Sequence, residues 1–252
     1  MKYENILITG ASSGLGRQLA IEYAKECVNL FIIGRNIEHL QETFNECVKY
    51  GCNVFVKSID VRNKKEMEDY IEEVIDKHKS IDLVIANAGV SGGTSKGDEE
   101  SKQIYEIFDT NIAGVLNTIV PIIPSMKKNR KGKIVLISSM ASFRGMPSAP
   151  SYSASKGCVR ILGEALYNDL KRYNIKVSTV CPGFIRTPLT DKNQFKMPFI
   201  MNVEKASLKI KNGIEKEKKI IIFPKIIYFL IKFVDLLPFG LNDWIFRILP
   251  KK

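Results

Sequence analysis

Histidine and tryptophan are scarce here, with two His and one Trp in 252 residues. His39 and His78 are far apart, and Cys27, Cys47, Cys52, Cys158 and Cys181 are scattered. Neither set has the spacing of metal ligands, so no metal site is expected. Five cysteines are also an odd number for a disulfide framework. Free thiols in a reducing cytoplasm are the expectation. No signal peptide is read at the start, because Met1 to Asn5 leads directly into a short apolar run. Internal repeats and low-complexity linkers are absent. The length suits one large domain or two small ones.

Acidic residues are also in short supply, at 27 against 38 Lys and Arg, for a net charge of +11. Such an excess raises nucleic acid as a partner. Its distribution argues otherwise. From Glu204 to Lys252 there are eleven Lys and Arg against five Asp and Glu, a net of +6. Just over half of the excess therefore lies in the last fifth of the chain, interleaved with large apolar residues. That pattern suits a lipid-facing or membrane-surface segment better than a groove reader. No nucleic-acid partner is expected.

What the chain does have is alternation. Asn5 to Thr9 reads as a buried strand, and Arg17 to Cys27 as a helix. Gly10-Ala11-Ser12-Ser13-Gly14-Leu15-Gly16 lies between them. A glycine-rich turn entering a helix suits a pyrophosphate, because backbone N–H groups can approach it and the helix N-terminus is positive. A P-loop is excluded, since no Gly-Lys-Ser/Thr follows. Val28 to Ile33 is a second strand, ending in Gly34-Arg35-Asn36. An acid at that point would bind a ribose 2′-hydroxyl, whereas an arginine suits a 2′-phosphate. Further strands are read at 54–58, 82–86, 133–138, 175–181 and 219–223, with helices at 37–50 and 63–79 and a long helical region holding Asn111. Asp60-Val61 lies just past the third strand, where it could meet a ligand or cap the next helix. The alternation predicts an α/β fold with a parallel, doubly wound sheet.

Ser151-Tyr152-Ser153-Ala154-Ser155-Lys156 opens a helix expected to reach about Tyr173. Positions four apart share a helix face, so Lys156 stands one turn from Tyr152. A neighbouring cation favours the phenolate, which makes Tyr152 a candidate proton donor and acceptor. The same letters spell Ser-x-x-Lys of serine acyl enzymes, but the partner motifs Ser-Asp-Asn and Lys-Thr-Gly are missing.

Thr9-Gly10-x-x-x-Gly14-x-Gly16, Asn87-Ala88-Gly89, Asn111, Ser139, Tyr152-x-x-x-Lys156 and Pro182-Gly183 stand in one order. Over residues 4 to 190 the chain thus resembles the classical short-chain dehydrogenases/reductases. Ser139 precedes Tyr152 by 13 residues, as that family's catalytic serine precedes its tyrosine. The resemblance implies a Rossmann-type, seven-stranded single domain. It implies a catalytic set of Asn111, Ser139, Tyr152 and Lys156. Tyr152 would exchange the proton, and Lys156 would lower its pKa and hold the nicotinamide ribose. Ser139 would bind the substrate oxygen, and Asn111 would place a water behind Lys156. Cofactor contacts would come from Gly10, Ser12, Ser13, Gly14, Leu15, Gly16, Arg35, Asp60, Val61, Asn87, Ala88, Gly89, Tyr152, Lys156, Pro182, Gly183 and Thr187. Asp60 and Val61 would meet the adenine, and Thr187 the carboxamide or diphosphate end. The expected activity is hydride transfer between a nicotinamide and a ketone or secondary alcohol, with NADPH preferred and an apolar or lipid-like substrate. The alternative is a catalytically silent dinucleotide-binding protein, which the complete catalytic set argues against.

The tail departs from the family's usual glycine-rich ending. The expected division is a domain over 1–223, with 187–218 as substrate lid, and an apolar, basic helical extension over 224–252. Phe195, Met197, Phe199, Ile200 and Met201 suggest an apolar lid. Lys225 to Leu237 reads as a helix with nine large apolar residues, and Trp244 to Leu249 as a second apolar piece. Pro224, Lys225, Lys232, Asp235 and Pro238 deny a membrane span, which needs about 20 mostly apolar residues. The extension should instead cover the substrate mouth, pack on a partner subunit of a homodimer or homotetramer, or touch a membrane peripherally.

Overall fold

The computed structural model describes residues 3–26, 28–93, 99–147, 149–191, 197–238 and 240. Seven strands form one sheet: β1 (Asn5–Thr9), β2 (Asn29–Gly34), β3 (Asn53–Ser58), β4 (Leu83–Ala86), β5 (Gly132–Ile137), β6 (Ile175–Pro182) and β7 (Ile220–Phe223). Their spatial order is β3-β2-β1-β4-β5-β6-β7, and each neighbouring pair is parallel. The chain starts at β1, builds outward to β3, then returns to the other side of β1. A crevice opens where the order reverses, outside the carboxyl ends of β1 and β4.

Helices cover both faces, which is why every residue of β1, β4 and β5 is buried and the middles of these strands read as apolar runs. On one face α1 (Gly14–Ala24) and α2 (Ile37–Val48) pack over Ile6, Ile8, Leu30 and Ile32. On the other, α3 (Lys64–His78) and a longer helical run cover Leu7, Phe31, Val84 and Ile134. That run consists of α4 (Ser101–Phe108), a π turn (Asp109–Ala113), α5 (Gly114–Ile119) and α6 (Ile123–Asn129). It is long and apolar enough to cross a membrane, but here it lies on the sheet with Ile107, Val115, Ile119 and Met126 buried. α7 (Pro150–Leu170) follows β5, and its last expected turn, 171–173, is a 3₁₀ turn.

At the amino edge of the sheet, buried Asp82 ties three segments together. It accepts from Glu4 N at 2.9 Å and Asn5 N at 3.2 Å, and pairs with Lys131 Nζ at 3.0 Å. Burial pushes its pKa up, but those hydrogen bonds and the lysine pull harder, so it stands below the ordinary value.

The lid expected over 187–218 is shorter than that. α8 (Val203–Glu215) is a core helix, because Ala206, Ile210 and Ile214 recur every fourth residue and pack against the α1 side of the sheet. Met201 packs on the same core, while Phe199 is 57% exposed. Phe195, Cys27 and Trp244 to Leu249 lie outside the described residues. After β7 comes α9 (Lys225–Asp235), an amphipathic helix with no fully buried residue.

Candidate active site

The turn between β1 and α1 forms the floor of the crevice. Gly10 and Gly14 have φ of +67° and +52°, conformations that favour glycine. A Cβ on Gly10 would lie 2.8 Å from Ala88 Cα, so the turn runs hard against the β4 loop. Asn87 locks that contact by donating to Thr9 O at 3.0 Å and Gly10 O at 3.2 Å. Ser13 stands at the N-cap of α1 but makes no side-chain cap, and no acid occupies the first turn. The free N–H groups at this helix start therefore suit an anionic group. Thr187 closes the turn from above, 3.2 Å from where a Gly14 Cβ would sit.

A cleft of about 320 Å³ runs along the carboxyl ends of the strands. Gly10, Ser12, Ser13, Gly14, Leu15, Arg35, Asp60, Val61, Asn87, Ala88, Gly89, Ser139, Tyr152, Lys156, Pro182, Gly183 and Thr187 all line it. Gly16 and Asn111 do not. Gly16 lies beneath the turn, where a side chain would overlap Gly10 O and the Asn87 amide, so its work is steric. Asn111 is fully buried, in the π turn. Its Oδ1 accepts from Val90 N at 2.8 Å, and its Nδ2 donates to Val90 O and Ser155 Oγ, each at 3.0 Å. Asn111 Oδ1 and Lys156 Nζ converge on Gly89, at 3.1 and 3.2 Å from the position of a Cβ there. The asparagine thus stands directly behind the lysine.

Asp60 does not cap the next helix. It accepts from Arg62 N at 3.0 Å and from the Arg62 guanidinium at 2.6 Å, and α3 is capped by Asn63 instead. The hydrogen bond from Arg62 holds the Asp60 carboxyl below its ordinary pKa, and Arg35 adds to this. Arg35 is half exposed beside the cleft, 3.8 Å from Glu106 on α4.

Tyr152 and Lys156 rise into the cleft from the first turns of α7. Burial pushes the Tyr152 phenol above its ordinary pKa, and the hydrogen bond with Ser139 only partly offsets this. Burial also pulls Lys156 down to about 8. Its ammonium donates to Ile137 O at 3.0 Å. A lowering by the lysine does not dominate here: desolvation of the ring is the larger influence on the phenol.

Several neighbours escaped the sequence reading. Ser138 Oγ donates to Lys156 O at 2.8 Å, fastening α7 to the end of β5, and only its place beside Ser139 could have signalled it. Thr110 lines the cleft, and its buried hydroxyl has no hydrogen-bond partner among the described residues. Glu99 Oε2 accepts from Ser151 N at 3.2 Å and so caps α7 across 52 residues, a pairing that no local pattern reveals. The apolar pocket was also missed in part. It has about 180 Å³, meets the cleft at Ser139, Tyr152 and Gly183, and is walled by Met140, Met146, Phe184 and Leu189. Ile227 and Ile231 of α9 complete that wall, and their i, i+4 spacing was the available signal.

Comparison with known proteins agrees with this geometry. The family described as short chain dehydrogenase matches residues 4–197. An uncharacterised oxidoreductase of Myxococcus xanthus is 35% identical over 224 residues, covering 89% of this chain and 88% of that protein. A 3-oxoacyl-acyl-carrier-protein reductase of Thermotoga maritima is 30% identical over 186 residues, covering 74% and 76%. Among solved structures, a short-chain dehydrogenase from Sphingobium yanoikuyae in complex with NADPH superposes with a TM-score of 0.83. It is 21% identical and covers 98% of this chain and 96% of its own. A short-chain dehydrogenase/reductase from Burkholderia phymatum in complex with NAD has the same TM-score, at 22% identity, covering 92% and 93%. At those identities the two structures speak for the fold alone. With its family match, its relatives and its cleft taken together, the chain belongs to the short-chain dehydrogenase/reductase family, oxidoreductases that act on CH–OH groups with a nicotinamide cofactor.

Proposed function

We propose that the protein is an NADPH-preferring carbonyl reductase for apolar, lipid-like ketones. The observation that carries this reading is the apolar pocket opening onto Tyr152 and Ser139. A carbonyl placed at its inner end lies against both hydroxyls, and its apolar remainder lies against Met140, Met146, Ile227 and Ile231. The Thermotoga relative, named a reductase of 3-oxoacyl groups, fits a chain-like apolar substrate.

The bound nicotinamide would supply the hydride. The chain's own residues do the rest. Ser139 donates a hydrogen bond to the carbonyl oxygen as its charge grows. Tyr152, kept protonated by burial, is in the acid form that reduction requires, and gives its proton to the forming alkoxide. Lys156 holds the ribose and lies on the path by which Tyr152 is reprotonated. Asn111 fixes that path from behind, beside Gly89. The turn from Gly10 to Gly16 holds the diphosphate. Arg35 grips a 2′-phosphate, and the absence of an acid at Gly34-Arg35-Asn36 leaves nothing to select a 2′-hydroxyl.

Two further readings belong with this one. The free thiols of Cys47, Cys52, Cys158 and Cys181 favour a cytoplasmic setting. Exposed Tyr105, Leu116, Val120 and Ile161, on α4, at α5 and on α7, favour self-association into a homodimer or homotetramer.

Initial rates with NADPH and NADH, over ketones and 3-oxoacyl thioesters of increasing chain length, test the function. Efficiency should rise with apolar length, and NADPH should exceed NADH by about tenfold or more, the worth of hydrogen bonds to a charged group. Arg35→Ala should erase that margin. Equal efficiency of the two cofactors in the unmodified protein would sink the cofactor assignment. A preference for short polar ketones would sink the substrate assignment.

A further inference from the structure

α9 is apolar on two sides. Ile227 and Ile231 look inward and wall the pocket. Ile226, Phe229, Leu230, Phe233 and Leu236 look outward, between 51% and 84% exposed. Their spacing of three and four residues gathers them into one stripe. Lys225 and Lys232, seven apart, stand together along one border of it. The nearby acid, Asp235, is shared between Arg144 at 3.1 Å and Lys232 at 3.8 Å, so with Lys225 three basic groups stand against one carboxylate and the border keeps a positive character. The sequence after α9 continues in the same manner. From 224 to 252 there are five basic residues (Lys225, Lys232, Arg247, Lys251 and Lys252) against Asp235 and Asp243, among Trp244, Phe246 and other apolar residues.

We propose that the outer face of α9 docks on an anionic lipid bilayer and sets the pocket wall against it, so that an apolar ketone enters from the bilayer past Ile227 and Ile231. At eleven residues the helix is too short to span and has its apolar stripe on one side, so it lies flat. The lysines decide between occupants. Lysine is depleted where protein surfaces meet, whereas at a bilayer its stem lies along the apolar face and its ammonium reaches the anionic headgroups. The entry route rests on the pocket being the substrate's, as read above. Docking does not.

Flotation of the full-length protein with phosphatidylcholine vesicles, with and without phosphatidylglycerol, tests this. The protein should rise with the anionic vesicles, less so at high salt. A Phe229→Ser, Phe233→Ser, Leu236→Ser triple variant should stay below while reducing a small soluble ketone at the unmodified rate. A second variant, Lys225→Glu with Lys232→Glu, keeps the stripe and should bind anionic vesicles about tenfold or more weakly. An unmodified protein that ignores both vesicles overturns the proposal, as it would if residues 241–252 or a second copy already covered the stripe. A triple variant that floats like the unmodified protein overturns it, as does an unchanged anionic preference in the lysine variant. So does a triple variant that falls to a smaller assembly by light scattering, since the stripe would then be a subunit contact. The soluble-ketone rate stands apart from all of these and reports on the proposed function itself.

Discussion

Buried on α7 with its ammonium against the end of β5, Lys156 is a charge held at a cost. Both folded and unfolded chains carry the ammonium below pH of about 8, so the full desolvation penalty acts there. Between about 8 and the ordinary 10.5 the unfolded chain binds more protons, and stability rises with pH. The shift corresponds to a penalty on the order of 3 kcal/mol. Lys156→Met should therefore be more stable than the unmodified protein at neutral pH, and that advantage should shrink steadily toward pH of about 10. Thermal melts of the two proteins across that range check it; a difference independent of pH would contradict the burial argument. Tyr152→Phe should keep cofactor binding and lose turnover by about 10²–10⁴-fold, the range for a positioned proton donor. Tyr152 and Lys156 were legible because both lie on one helix, four apart. Their ionisation was not, since it depends on β5, Ser139 and the closed cleft around them.

Among the elements, the β1–α1 turn shows how a residue outside the cleft can govern it. Gly16→Ala would drive a methyl group into Gly10 O and the Asn87 amide. Overpacking of this kind costs about 1–3 kcal/mol, and here the displaced atoms fix the turn whose N–H groups would hold the diphosphate. A lower Tm together with lost cofactor binding is expected, the second measured by fluorescence of bound NADPH. α7 depends on a distant partner in the same way. Glu99→Ala removes the acceptor for Ser151 N at the start of the helix that carries Tyr152, and should cost about 1 kcal/mol. Glu99→Gln keeps an acceptor oxygen and should restore most of it. The turn was legible from glycine spacing within seven residues. The cap was not, because Glu99 and Ser151 are 52 residues apart. The π turn around Asn111 was equally hidden: one extra residue in a helical turn leaves the apolar period almost unchanged. α8 was misread as lid because an apolar stripe does not say whether core or substrate lies opposite it. Only the packing against α1 decides.

For the whole molecule, the strand order could be anticipated once the motifs were in register, since a strand–turn–helix at the chain's start places the crevice beside β1. Surfaces beyond the crevice were less readable. Ile161, at 59% exposed on α7, and Val120, at 54%, carry the proposed subunit contact. Ile161→Glu should lower the particle mass in light scattering and leave the fold intact by circular dichroism; an unchanged mass would remove that face as a contact. The sheet itself has two unlike ends. All cleft residues stand at or beyond the carboxyl ends of the strands, while Asp82 binds Glu4, Asn5 and Lys131 together at the other. Because its pKa is depressed in the fold, the stabilisation from Asp82 is present at neutral pH and disappears as pH falls through that depressed value. Asp82→Asn should thus lower Tm near neutrality and leave KM and kcat unaltered, with the loss of Tm vanishing in acid. The two ends can then drift under separate selection. New substrates can be accommodated by rewriting the loops after β4, β5 and β6, while tolerance of heat or acid is adjusted a strand's length away.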